Sequence, residues 1–168
     1  MEIYYGLTLD GRNKVGWIMG FTIKIVCEEC DYNQALWLGT GFNYDSKLIF
    51  FGDRPMLSMF IKDEEEQRLI AQLMDKPNVQ IKGSERRAYR CIKCSKIYDK
   101  YYYCIKFDGG EYMPNYYCSD CTHQLEAMQV SVEKQIALFE IDERNVKISC
   151  PKCRSLKVMS RLERMDWD

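Results

Sequence analysis

Histidine occurs once, at His123, in a chain of 168 residues. Catalytic zinc sites draw on histidine and carboxylate ligands and keep one position open, so this scarcity weighs against metal-activated water. Long apolar runs are missing too: no window approaches the roughly 20 residues that cross a bilayer as a helix. A secretory leader begins with a basic segment and continues into an apolar one, and Met1 to Gly16 has neither, with acidic Glu2 near its start. The expectation is a cytoplasmic protein without a membrane partner. An excess of one charge sign is also lacking. The formal net charge is −1, so any nucleic-acid contact has to come from a local patch.

Cysteine, by contrast, is abundant. Eight of nine lie in four Cys-x-x-Cys pairs: Cys27/Cys30, Cys91/Cys94, Cys118/Cys121 and Cys150/Cys153. Two thiolates two residues apart grip one tetrahedral ion from a tight turn, so four pairs supply two four-cysteine sites, most simply for two structural Zn2+ ions. Disulfides are the competing explanation. Vicinal pairs make poor long-loop staples, and the chain is larger than most disulfide scaffolds, so metal is favoured. A thioredoxin-type redox centre needs one pair at a helix start, not four. Eight thiolates around two divalent ions would carry the net charge to about −5.

Most other segments read as strands. Residues 3 to 9 and 15 to 26 flank the Asp10-Gly11 turn, and Gln34 to Leu38 reads as a return strand after the first pair. Asp63 can cap a helix over 63 to 75, with Glu64, Glu65 and Glu66 at the positive end of its dipole and Pro77 beyond its end. Short strands are expected at 79 to 82 and 88 to 91. A longer one at 97 to 107 puts Ile97, Tyr101, Tyr103, Ile105 and Phe107 on one face and Tyr98, Lys100, Tyr102, Cys104 and Lys106 on the other. Asp108-Gly109-Gly110 turns the chain into a strand at 112 to 117. From 123 to 142 the apolar spacing of Leu125, Met128, Val132, Ile136 and Phe139 fits a helix, with strand pieces as the alternative. Strands at 146 to 149 and 156 to 161 enter and leave the fourth pair.

The second and third pairs are separated by one hairpin, so closing it brings their turns to the same end at low entropic cost. The first and fourth remain for each other. The expected fold class is therefore β-rich α+β: two nested ribbons with four cysteine turns and one or two short helices. Its parts are an N-terminal hairpin extension (1–18), an outer ribbon (19–62 with 142–168), a helix (63–77) and an inserted inner ribbon (78–141). A serial scheme, first with second and third with fourth, is the alternative.

This arrangement resembles the zinc-ribbon superfamily. Val26-Cys27-Glu28-Glu29-Cys30-Asp31-Tyr32 and Ser149-Cys150-Pro151-Lys152-Cys153 look like rubredoxin-type knuckles, and Leu38-Gly39-Thr40-Gly41-Phe42 is similar to a segment of small bacterial zinc-ribbon proteins. One departure stands out. Knuckles usually place glycine after the second cysteine, where φ is often positive, yet this chain has Asp31, Ser95, Thr122 and Arg154 there.

A closed four-thiolate site folds the chain and leaves no vacancy for chemistry, so the expectation is not an enzyme. His123, two residues after Cys121, is a candidate substitute ligand, with a surface or outer-shell role preferred. Cys104 is the unpaired thiol. Nearby lysines favour a nucleophile, whereas a small buried side chain is the simpler account. Residues 82 to 106 hold eight bases against Glu85 and Asp99, and residues 107 to 145 hold eight acids against Lys134 and Arg144. The candidate nucleic-acid residues are Arg86, Arg87, Arg90, Lys93, Lys96 and Tyr102, since bases interleaved with tyrosines can follow phosphates and stack on nucleobases. The competing account packs those cations on the acidic segment of the same molecule. The function expected is a two-zinc binding or adaptor module for a protein partner or a nucleic acid. The rivals are electron transfer by iron in the rubredoxin-like turns and a thiol enzyme using Cys104.

Overall fold

The computed structural model describes residues 20–40, 46–51, 54–133, 136–141 and 144–164. The expected hairpin at 3–9 and 15–19 lies outside them. In chain order the elements are β1 (Phe21–Cys27), β2 (Asn33–Leu38), α1 (Ser46–Phe50), α2 (Arg54–Phe60), α3 (Glu64–Met74), β3 (Gln80–Arg90), β4 (Ile97–Phe107), β5 (Gly110–Tyr112), β6 (Glu126–Glu133), β7 (Ile136–Ile141), β8 (Arg144–Asn145) and β9 (Val158–Arg164). The described residues are β-rich, with one antiparallel sheet and three short helices. No helix among the described residues is long and apolar enough to cross a membrane.

The strand order is β2-β1-β9-β7-β6-β3-β4-β5, with β8 against β7. β1 pairs with β2 on one side and with β9 on the other, where Cys27 faces Val158. A single bridge bends this strip back on itself. Gly39 and Arg86 exchange backbone bonds of 2.8 and 2.9 Å, so the end of β2 meets β3 and the strands β2-β1-β9-β7-β6-β3 form a ring. Gly39 reaches this position with φ of 84°, a conformation that side chains resist. Asp99 braces the seam by accepting the Trp37 N–H at 3.0 Å and the Arg86 guanidinium at 3.1 Å.

The ring encloses one core. Ile23 and Ile25 alternate inward from β1, Leu36 and Leu38 from β2, and Ala88, Ile97, Met128, Ala137 and Phe139 complete it. Each large apolar side chain so enclosed contributes about 1.5–3 kcal/mol of burial. A second core lies under the helices, where Ile49, Phe50, Ile61, Ile70 and Leu73 cover Tyr101, Tyr103 and Ile105 of β4. α3 starts as expected: Asp63 accepts the Glu66 N–H at 2.8 Å, and three glutamates fill the first turn.

Five expectations need correction. The strand expected at 112–117 is only β5, Gly110–Tyr112, since Pro114 has no N–H for a ladder, and three helices form where one or two were expected. Of the two readings of 123–142, the strand pieces hold and the helix does not: Glu126–Glu133 and Ile136–Ile141 are β6 and β7, where Met128 and Val130, and then Ala137, Phe139 and Ile141, pack at a period of two. Val146–Ser149 is not a strand; Val146 N bonds Phe139 O at 2.7 Å, and Ser149 turns toward Ser95. The two short strands before the second cysteine pair are one strand, β3, in which Gly83 at φ 84° absorbs a register shift.

Candidate metal centres

The eight paired cysteines gather into two groups. Cys27, Cys30, Cys150 and Cys153 form one, and Cys91, Cys94, Cys118 and Cys121 the other, with the sulfurs of each group all within 4.8 Å of one another. In the outer group Cys27 faces Cys153 at 3.5 Å and Cys30 faces Cys150 at 3.6 Å. In the inner group Cys91 faces Cys121 at 3.3 Å and Cys94 faces Cys118 at 3.4 Å. In both, the first cysteine of one turn meets the second of the other. Disulfide sulfurs would sit about 2.05 Å apart, whereas a tetrahedral ion with metal–sulfur bonds near 2.3 Å holds its sulfurs roughly 3.8 Å apart. All nine cysteines are free thiols, and the donor set fits a thiophilic cation at both places.

Local backbone chemistry explains why the chain folds into these turns. Cys91, Cys118 and Cys150 each donate their N–H to the carbonyl five residues on, at 2.8 Å, and each accepts the N–H four residues on, at 2.9 Å. The residues supplying that second N–H, Ser95, Thr122 and Arg154, have φ of 62°, 57° and 66°. These are the left-handed positions that usually take glycine. The first turn shares the first of these bonds, Cys27 N to Tyr32 O at 3.0 Å, but differs in that Asp31 is not in the left-handed region.

The surroundings divide the sulfurs: Cys91, Cys118 and Cys150 are held below the ordinary thiol range, and Cys30, Cys94, Cys121 and Cys153 are pushed above it. The Tyr98 hydroxyl lies 3.2 Å from Cys118 Sγ and, with the N–H groups of Asp120 and Cys121, holds that thiol down to about 6. Burial opposes ionisation of Cys150, but the N–H groups of Cys153 and Lys152 outweigh it and bring the thiol to about 7. Each group also has an ion pair joining its two turns: Lys152 with Asp31 in the outer group and Lys96 with Asp120 in the inner. These partners lower both carboxyls from their ordinary range. Sequence reasoning did not find Tyr98 or these pairs. The available signal was a lysine inside or beside one turn and an aspartate inside or beside its mate.

The remaining candidates are placed as follows. His123 is exposed, its Nδ1 2.9 Å from the Cys121 carbonyl, and it belongs to neither sulfur group. Cys104 is 4 % exposed although its strand neighbours Tyr102 and Lys106 face outward more, and burial raises its pKa, reinforced by Glu111. Arg86 pairs with Asp99 at 3.1 Å, Arg87 with Glu85 at 2.6 Å, Arg90 with Glu126 at 2.9 Å, and Lys96 with Asp120. The Arg87 guanidinium also lies 3.5 Å from the centre of the Tyr102 ring. Lys93 is exposed and has no ion pair among the described residues.

No family model, curated protein or solved structure matches this chain.

Proposed function

We propose that the protein is a non-enzymatic, cytoplasmic binding module built on two structural zinc ions held as nested ribbons, and that its partner is another protein. The observation that carries this reading is the composition of the two sites. All four donors at each are cysteine sulfurs within 4.8 Å of one another, and four thiolates leave zinc no open position. In this reading the ions fold the chain and the surface does the work. Cys27, Cys30, Cys150 and Cys153 hold one ion; Cys91, Cys94, Cys118 and Cys121 hold the other.

Ion pairing supports a protein partner over a nucleic acid. Arg86, Arg87, Arg90 and Lys96 each already have a carboxylate, and a phosphate backbone would have to displace those acids. The buried, pKa-raised Cys104 supports a packing role rather than a thiol nucleophile.

The test is elemental analysis of the purified protein together with titration of single- and double-stranded DNA and RNA at low salt. Two equivalents of zinc in a colourless protein and no nucleic-acid binding are expected. Visible absorption from ferric iron in four thiolates, or salt-sensitive binding lost on replacing Arg86 and Arg87, would sink the reading.

A further inference from the structure

The two cysteine groups adjoin through residues that flank their turns. Ser149 Oγ donates to Ser95 Oγ at 2.9 Å, and Arg154 Nη1 reaches the same oxygen at 3.3 Å, so the second and fourth cysteine turns lie side by side. Next to this junction is a cleft of about 110 Å3 lined by buried Ile97 and Met128, half-buried Ile148, and the bases Arg90 and Lys147. Ile92, from the tip of the second turn, also lines it and is 66 % exposed. A β-branched apolar side chain held out on a rigid turn, beside a cleft of side-chain size, is the anatomy of a docking point.

Charge around the cleft identifies what it fits. No acid lines the cleft, and four acids of the cysteine turns and β6 are already committed: Asp31 to Lys152, Glu29 to Lys157, Asp120 to Lys96 and Glu126 to Arg90. Lys93, Lys147 and Arg154 are exposed and have no carboxylate partner among the described residues. Lys147 lines the apolar slot, Arg154 bonds Ser95 of its wall, and Lys93 follows Ile92 in the chain, on a protein whose formal net charge is −1. Resting on the binding-module reading above, we infer that the cleft between the second and fourth turns takes an acidic peptide segment of a partner protein. One aliphatic side chain of that segment fills the slot, and flanking carboxylates meet Lys93, Lys147 and Arg154. A single-stranded nucleic acid fits less well. It needs open aromatic faces for its bases, the cleft has none, and the Tyr102 ring elsewhere is already stacked by Arg87.

The experiment uses the metal-replete full chain and a short fluorescein-labelled peptide of alternating glutamate and leucine. Its glutamine–leucine and lysine–leucine counterparts and oligouridylate serve as competitors. Anisotropy gives affinity, and amide chemical shifts give location. Saturable binding of the glutamate peptide is expected, with the largest shifts at Ile92, Ser95 and Lys147. Lys147→Glu should weaken it roughly tenfold or more, because a like charge then faces the peptide's carboxylates. Ile92→Asp should do the same, and Lys93→Gln is a milder variant should either reversal disturb folding. Equal affinity for the glutamine peptide, shifts confined to another surface, or displacement by oligouridylate would overturn the assignment. Zinc content and thermal melting are measured on the same samples. If those hold while the peptide fails, this inference falls alone; if zinc is absent, the binding-module reading falls with it.

Discussion

The two sulfur groups use the same ligands in the same arrangement, yet they do different work for the fold. The outer group joins cysteines 120 and 126 residues apart, the inner group cysteines 24 and 30 apart. Loop-closure entropy grows only with the logarithm of length, so this difference is worth only about 1.4 kcal/mol. Surroundings separate them further. The inner sulfurs sit in a cluster with Tyr89 and Leu125, and Tyr98 and Tyr116 pack on it. The outer group has Cys150 fully buried but Cys153 exposed. One centre fastens β1 to the turn before β9; the other is part of a core.

The largest expected effect comes from removing both ions. Structural zinc contributes on the order of 10 kcal/mol of apparent binding free energy to small metal-folded domains, comparable with the whole stability of a domain, about 5–15 kcal/mol. Exhaustive chelation should abolish cooperative melting. A slow chelator titration should release metal in two steps, the outer centre first, because an attacking ligand can reach exposed Cys153. Release in one step would erase the contrast between the centres, and a retained melting transition in metal-free protein would remove metal from the account of folding.

Single-ligand variants come next. In Cys153→Ser, hydrogen exchange should accelerate in β1, β2 and β9, while α3, β4 and β5 stay protected, since the core under the helices contains no outer-group residue. Cys118→Ser should do wider damage. The inner cluster includes Tyr89, whose β3 neighbour Ala88 lies in the ring core with Ile97 of β4, so its loss propagates into both layers. Identical exchange maps for the two variants would defeat this prediction. A smaller effect is expected from Tyr98→Phe, which deletes the hydroxyl 3.2 Å from Cys118 Sγ. Loss of an outer-shell partner commonly weakens metal binding about 10–100-fold. Competition with a chromophoric chelator should register that loss at the inner centre and leave the outer one unchanged.

Those contrasts also mark where sequence reasoning succeeded and where it ran out. The ligand groups were legible because metal chemistry imposes a two-residue spacing and a donor type that packing rarely imitates. α3 was legible because Asp63, three glutamates and Pro77 mark both ends of an amphipathic stretch. The stretch 123–142 was not, because Leu125, Met128, Val132, Ile136 and Phe139 satisfy a helical spacing while pairing with β3 and β9 decides the outcome. α1 and α2, five and seven residues long, are too short to produce a periodic signal, and tertiary cover makes them helical. The bridge closing the ring joins Gly39 to Arg86; one contact between residues so far apart leaves no local trace. The buried side chain preferred for Cys104 agrees with its 4 % exposure, on a strand face where Tyr102 and Lys106 stay more open.

The smallest effect bears on the turns themselves. Ser95, Thr122 and Arg154 hold left-handed backbone that a Cβ disfavours, while Asp31 at the equivalent place does not. The left-handed region costs a non-glycine residue roughly 1–2 kcal/mol, partly offset by the extra freedom glycine has when unfolded. Thr122 carries the least suitable side chain, being β-branched, and its hydroxyl makes only an exposed 2.8 Å bond to the adjacent Cys121 carbonyl. Thr122→Gly should therefore stabilise the protein by up to about 1 kcal/mol, seen as a melting temperature raised by a few degrees. Thr122→Ala, which keeps the Cβ, should gain much less. Asp31→Gly should gain nothing, because that turn has no left-handed strain to relieve and the Lys152 partner is lost. Equal gains at Thr122 and Asp31 would mean that the four turns share one backbone and that the first is not a separate kind.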